Sequence, residues 1–285
     1  MSWTVWERAR FFRGGIMDED ACTIESAKSG LPRNYAIKEH HVFDILGKLS
    51  AKLTGRNDIV FKGGTALNKI YLGDVQRFSE DIDFDCFYED KKEEKIEGLV
   101  EIVKEIEGYR VTRGWRLRET IRFELVYVLP NGQKDRVFVE FNLKKGSCPF
   151  EVVSGTAKSN VSGQTVAGIL TYPLDVLILL KMGALISRGE GKDVYDVYYG
   201  LLRARKEEID LSRNIKGYSS YSKEEMDYRE MIERCQQKLE KLDWKKIQEI
   251  TNPYIPYWNR PSDWEEFIKN LILILDEIKE HYKRS

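Results

Sequence analysis

Phe61-Lys62-Gly63-Gly64-Thr65-Ala66-Leu67, followed after a short gap by Arg77-Phe78-Ser79-Glu80-Asp81-Ile82-Asp83-Phe84-Asp85, is the stretch that decides the fold. Ile59-Val60-Phe61 reads as a short buried strand, and Gly63-Gly64 breaks it before a helical segment to Tyr71. Glu80 to Phe87 then alternates acid against apolar, the period of a strand with one polar face. Residues two apart on a strand point the same way, roughly 6.5–7 Å apart along the backbone. Asp81, Asp83 and Asp85 therefore share a face, with Ile82, Phe84 and Cys86 packed behind them. Two adjacent carboxylates on a rigid strand can hold one or two divalent cations against a triphosphate.

A plainer reading of the acidic strand is a solvated edge whose outer face happens to be acidic. An EF-hand is excluded, because Cys86 stands where its glycine is required and Lys92 where its bidentate acid is required. The GxxxxGK[ST] order of a Walker loop is absent. Paired glycines between a strand and a helix let the backbone approach phosphate oxygens closely. Strand, Gly-Gly, helix and Asp-x-Asp strand in that order is much rarer than any one of its parts.

Outward from this stretch, Ile37 to Leu53 has apolar residues at helical spacing, and Gly55-Arg56-Asn57-Asp58 ends that helix. Lys91 to Glu107 reads as a charged amphipathic helix. Thr120–Leu129 and Arg136–Leu143, around Pro130-Asn131-Gly132, read as a β-hairpin. Ser154 to Gly168 reads as a Gly/Ser-rich connection. Beyond it the chain is helical, over Leu174–Arg188, Asp193–Arg205, Lys223–Leu242 and Asp263–Tyr282. The class is α+β, with a mixed-sheet catalytic domain over 1–165 and a helical C-terminal domain over 166–285.

A net charge of −1 excludes a protein that coats nucleic acid by bulk electrostatics, so any such contact must be a local patch. The four cysteines are widely spaced and read as reduced thiols of a cytoplasmic protein. Zinc is not expected, since His40, His41 and His281 stand far from any cysteine in sequence. Neither a signal peptide nor a membrane span is expected.

The Phe61–Leu67 and Arg77–Phe84 motifs resemble those of the AbiEii/AbiGii family of nucleotidyltransferase toxins, which includes the MenT type and is related to DNA polymerase β. The resemblance extends from Val60 to about Leu202. It implies transfer of a nucleotide from an NTP to an acceptor hydroxyl, with Mg²⁺ (or Mn²⁺) held by Asp81, Asp83 and a third carboxylate from a neighbouring strand. Glu140, a lone acid in an apolar strand, is the candidate, and Glu124 is the runner-up. Phosphates are expected near Gly63, Gly64, Thr65, Ser79, Lys181 and Arg188. Lys181 lies in an apolar helix, where it must snorkel or meet an anion. The family's basic run ending in Asp-x-x-Asp falls on Arg188 to Asp196, with Glu190 replacing the usual basic residue. Asp196 is expected to place Lys181 or the acceptor, and Asp193 to position the loop.

The resemblance also implies a cytoplasmic toxin restrained by an antitoxin partner and acting on RNA, tRNA in some members. Arg110, Arg113, Arg116, Arg118 and Arg122, with Tyr109 and Trp115 among them, suit phosphate contact with base stacking. Arg113, Trp115, Arg116 and Arg118 are the named RNA candidates, against a plain solvated face. A protein or small-molecule acceptor, and a non-catalytic NTP- or RNA-binding regulator, are the alternatives.

Overall fold

The computed structural model describes residues 19–117, 119–129 and 131–282, with the backbone alone for 113–117 and 281–282. The acidic segment forms β2 (Asp81–Tyr88), the middle strand of a seven-stranded mixed sheet. On one side β2 pairs antiparallel with β1 (Ile59–Lys62). On the other it runs parallel to β5 (Lys134–Lys145), Asp83 beside Glu140. The expected hairpin is β4 (Thr120–Val128) with β5, and β3 (Arg110–Leu117) extends the sheet beyond it. Gly132, at φ 83°, supplies the left-handed residue of its turn. β7 (Thr165–Thr171) runs parallel to β1, and β6 (Val153–Lys158) closes that edge.

Strict alternation in β4 and β5 buries one face completely, through Ile121, Phe123, Leu125, Val137, Val139 and Phe141. Helix α1 (Glu19–Ser29) leads into α2 (Arg33–Lys52), which buries Ile37, Val42, Phe43, Ile45, Leu46 and Leu49. The short α3 (Gly63–Ala66) continues through a π-helical turn at Leu67–Tyr71. Helix α4 (Lys92–Lys104) adds Ile96, Leu99 and Val103. Asp81, Asp83, Arg122, Phe138 and Glu140, alternate residues of β2, β4 and β5, stay half-exposed on the opposite face.

Structure is all-helical from Leu174, after β7 has returned to the sheet. It comprises α5 (Leu174–Ser187), α6 (Gly191–Lys206), α7 (Ile215–Ser222), α8 (Tyr228–Leu239), α9 (Trp244–Thr251) and α10 (Trp264–Tyr282). Helix α5 is apolar nearly all round because it is enclosed. Gly200 of α6 lets that helix approach it: a Cβ there would stand 2.9 Å from Ile178.

Two sequence expectations are corrected. Ser154–Gly168 is largely the β6–β7 hairpin rather than a connection, its small residues fitting a strand whose backbone is crowded. A Cβ on Gly155 would lie 3.0 Å from Ile70 and from Thr171. The single helix expected over Lys223–Leu242 is broken, since Lys223 is left-handed at φ 60° and α8 starts only at Tyr228. Asp227 caps it, accepting from the Glu230 amide at 2.8 Å.

Behind the π-helical turn, Lys69 and Glu39 form an ion pair with almost no solvent exposure, and the Ser159 hydroxyl donates to the same carboxylate oxygen at 2.6 Å. Removing one partner of such a pair strands the other charge, at a cost of about 3–5 kcal/mol. Glu39→Ala should therefore lower unfolding free energy by that amount in denaturant titration. The Glu39→Leu/Lys69→Met double variant should recover most of the loss. Equal losses in both would show that the pair's charge is irrelevant.

Candidate active site

The site is organised by Gly63 and Gly64. Gly63 adopts φ 77°, and a Cβ there would collide with the Asp83 carboxylate. A Cβ on Gly64 would come within 2.7 Å of an Arg77 guanidinium nitrogen, 3.3 Å of Ser79 Oγ and 3.4 Å of Lys181 Nζ. Glycine is needed at both positions because backbone takes the space a side chain would fill. The Thr65 hydroxyl donates to the Asp81 carbonyl and lies 2.9 Å from Ser79 Oγ, fixing the helix start against the acidic strand. The two glycines thus bring together two electrically opposite groups of side chains.

The first group is carboxylate. The parallel register of β2 and β5 sets Glu140 beside Asp83, one strand over. Burial, reinforced by the charges of Asp83 and Glu80, pushes Asp81 up to about 7. Burial also pushes Asp83 up to about 6, Lys62 opposing and Glu140 assisting. Asp81 Oδ1 is buried and has no hydrogen-bond partner among the described residues. Crowded oxygen donors with one unsatisfied buried lone pair fit a hard divalent cation, which would remove both the repulsion and the orphan. Glu140 is held from the next strand by Arg122, whose Nε donates to it at 2.7 Å.

The second group is cationic. Asp196, fully buried, accepts two bonds from Arg77 at 2.8 and 2.6 Å, one from Asn68 at 2.8 Å, and pairs with Lys181 at 2.8 Å. Burial alone would raise its pKa, but Arg77 and Lys181 outweigh that and hold it down to about 2. Asp193 is likewise buried and held below its ordinary value by Arg188 and Lys181 against the effect of burial. Arg188 grips it with two bonds, at 2.7 and 2.8 Å, and Lys181 lies 3.2 Å away. Three cations face two buried carboxylates, with the exposed Glu190 3.7 Å from Arg188 at the rim, so the buried part of the cluster beside Gly64 is net positive and suited to an anion.

Asp81, Asp83 and Glu140 thus share one face, and Gly63, Gly64, Thr65, Ser79, Lys181, Asp196 and Arg188 border it. Asp193 positions Arg188 and Lys181, consistent with a loop-ordering part. Arg77 and Asn68 carry no role that the sequence alone signals. Arg77 stood inside the decisive motif, and Asn68 is a buried amide whose oxygen accepts from the Arg77 amide at 2.9 Å. Asp85 is committed to other partners than the candidate cation site. It is fully buried and bound by Lys62 at 2.7 Å, Tyr172 at 2.8 Å and Tyr221 at 3.1 Å.

Among the RNA candidates, Arg118 and the side chains of Arg113, Trp115 and Arg116 lie outside the described residues. Tyr109 is corrected: its hydroxyl donates to Asp44 at 2.8 Å under α2, on the covered side of the sheet. The histidine argument is also corrected in space, because α1 and α2 pack together and bring His40 close to Cys22 and Glu25. His40 Nε2 there lies 2.9 Å from the Glu25 carboxylate.

The raised values of Asp81 and Asp83 fix a pH dependence. Both exceed the ordinary 3.8, so the folded protein keeps protons that the unfolded chain has lost. Their contribution is most favourable below about pH 4 and declines as pH rises towards about 7. In thermal melts with chelator, wild type should lose stability relative to Asp83→Asn between about pH 4 and pH 7. Added divalent cation should restore the wild type alone. A flat difference across this range rules out coupled carboxylates.

The same site geometry accompanies a family relationship. The chain superposes on the nucleotidyltransferase toxin MenT4 of Mycobacterium tuberculosis with a TM-score of 0.64 at 17% identity, over 94% of this chain and 92% of that one. It superposes on JHP933 of Helicobacter pylori with a TM-score of 0.53 at 15% identity, over 89% and 95%. At such identities the likeness shows the fold. No curated protein sequence matches the chain. The profile described as "Nucleotidyl transferase AbiEii toxin, Type IV TA system" matches residues 45–276. The chain belongs to the AbiEii family of nucleotidyltransferase toxins of type IV toxin–antitoxin systems.

Proposed function

We propose that the protein transfers NMP from an NTP to an acceptor hydroxyl of RNA, a tRNA in the first instance, and uses Mg²⁺ (or Mn²⁺). The observation that carries this reading is the meeting, at Gly63-Gly64, of an undercompensated carboxylate set with a net cationic cluster. Asp81, Asp83 and Glu140 would hold the metal, which when bound neutralises phosphate charge and favours the ionised acceptor hydroxyl. Gly63, Gly64, Thr65 and Ser79 would receive the phosphates closely because no side chain fills that space. Lys181 and Arg188, oriented by Asp193 and Asp196, would take the charge that develops on departing pyrophosphate. Arg77 fixes Asp196, and through it Lys181. One P–O bond to the acceptor forms as the α–β bridge breaks, and no protein nucleophile is required.

An antitoxin partner and an NTP substrate accompany this reading from the family. The expected compartment is the cytoplasm, and no helix among the described residues is long and apolar enough to cross a membrane. A catalytic domain followed by a helical one remains part of the proposal. Its boundary is proposed near residue 165, and the pairing of β7 with β1 supports counting that strand with the sheet.

Purified protein with Mg²⁺, each α-labelled NTP and total cellular RNA should label RNA with one NTP preferred. Asp83→Asn should reduce labelling by at least about a hundredfold, more than loss of a supporting residue costs. Label entering protein instead would transfer the same chemistry to a protein acceptor. Absence of NTP binding would remove the reading altogether.

A further inference from the structure

The half-exposed face of the sheet continues away from the carboxylates across β5 and β4. In-line displacement puts the attacking hydroxyl and the departing pyrophosphate on opposite sides of the α-phosphorus. The proposed pyrophosphate cations lie on the Gly64 side, Lys181 beside Gly64 with Arg77, and Arg188 joined to Lys181 through Asp193. The acceptor must then approach past Glu140, over β5 and β4.

Side chains on that approach carry their own signature. Phe138 stands beside Asp81 in the parallel register, one strand spacing away. Its half-exposed ring is flanked by two guanidinium groups, Arg122 at 4.9 Å and Arg136 at 5.6 Å from the ring centre. Arg110, exposed on β3, shares this face through its pairing with Val126. At the far end Lys144 lies 3.8 Å over the ring of Tyr221. Glu124 and Glu140 are opposing charges on this face: Glu140 holds Arg122, and Glu124 pairs with Arg136 at 3.0 Å in a half-exposed bridge that a phosphate can displace. Rings layered with guanidinium groups suit stacked bases and their phosphates, whereas a folded protein surface offers neither.

We propose that this face is the acceptor platform: the terminal bases of a single-stranded RNA 3′ end stack on Phe138 and its flanking guanidinium groups, with Arg136 and Arg110 taking backbone phosphates. The proposal rests on the reading of the acceptor as RNA. It names residues apart from the Arg113–Arg118 segment.

The test compares full-length wild type with Phe138→Leu and Arg136→Gln in two measurements. One is anisotropy of a 5′-fluorescein single-stranded RNA bearing a free 3′-hydroxyl, across a salt series. The other is KM for total RNA in nucleotide transfer. Phe138→Leu should weaken RNA binding and raise the RNA KM by about tenfold, with NTP affinity unchanged. Arg136→Gln should weaken binding and make the log–log salt slope shallower by about 0.7. Wild-type transfer to RNA with unchanged RNA KM and affinity in both variants overturns the platform and leaves the RNA reading standing. Wild-type transfer to protein and not to RNA overturns both.

Discussion

Asp196 is the charge around which the sheet-bearing part of the chain and the helices after it are joined. It is fully buried on α6, yet it receives Arg77 and Asn68 from the segments beside β1 and β2 and Lys181 from α5. An isolated carboxylate could not be ionised there, since burial alone would neutralise it. Each partner is therefore necessary to the others. Without Arg77 the carboxylate is undercompensated, and without Asp196 two cations lie buried beside Gly64. This mutual dependence ties the segment before β2 to α5 and α6.

The same constraint explains why opposite chemistries coexist a few ångströms apart. On the β2–β5 side, burial raises Asp81 and Asp83, and neighbouring carboxylates with too few cations add to it. On the α5–α6 side, carboxylates are outnumbered, which lowers Asp193 and Asp196. The paired glycines separate the two fields without adding a side chain to either. A metal–triphosphate complex would supply positive charge where the first group needs it and negative charge where the second does. The folded chain therefore carries an electrostatic outline that suits the proposed metal–triphosphate, consistent with membership of a nucleotidyltransferase family.

Much of this was legible before any coordinates. The Gly-Gly break, the Asp81/Asp83 alternation and the Glu140 strand are local patterns, and local patterns follow from the two-residue period of a strand. The register that pairs Asp83 with Glu140 is different, because two strands far apart in sequence choose it by packing their buried faces together. Arg122 illustrates the consequence. In sequence it joined an arginine-rich stretch, but antiparallel pairing sets it opposite Glu140, where its guanidinium holds a carboxylate. Tyr109 likewise looked like a stacking residue until the sheet's orientation put it beneath α2. The β6–β7 hairpin was missed because its small polar residues have little alternation of their own. It is a strand pair because β1 offers it an edge.

By itself, then, the sequence determined which short segments are strands or helices and which residue types could do metal-assisted phosphoryl chemistry. Tertiary structure decided which charges meet. Arg77 and Asp196 are paired across more than a hundred residues, and nothing in their spacing announces it. The physical reason is desolvation: a buried charge is tolerated only where another is delivered to it. That delivery depends on how sheet and helices pack, which no local period encodes.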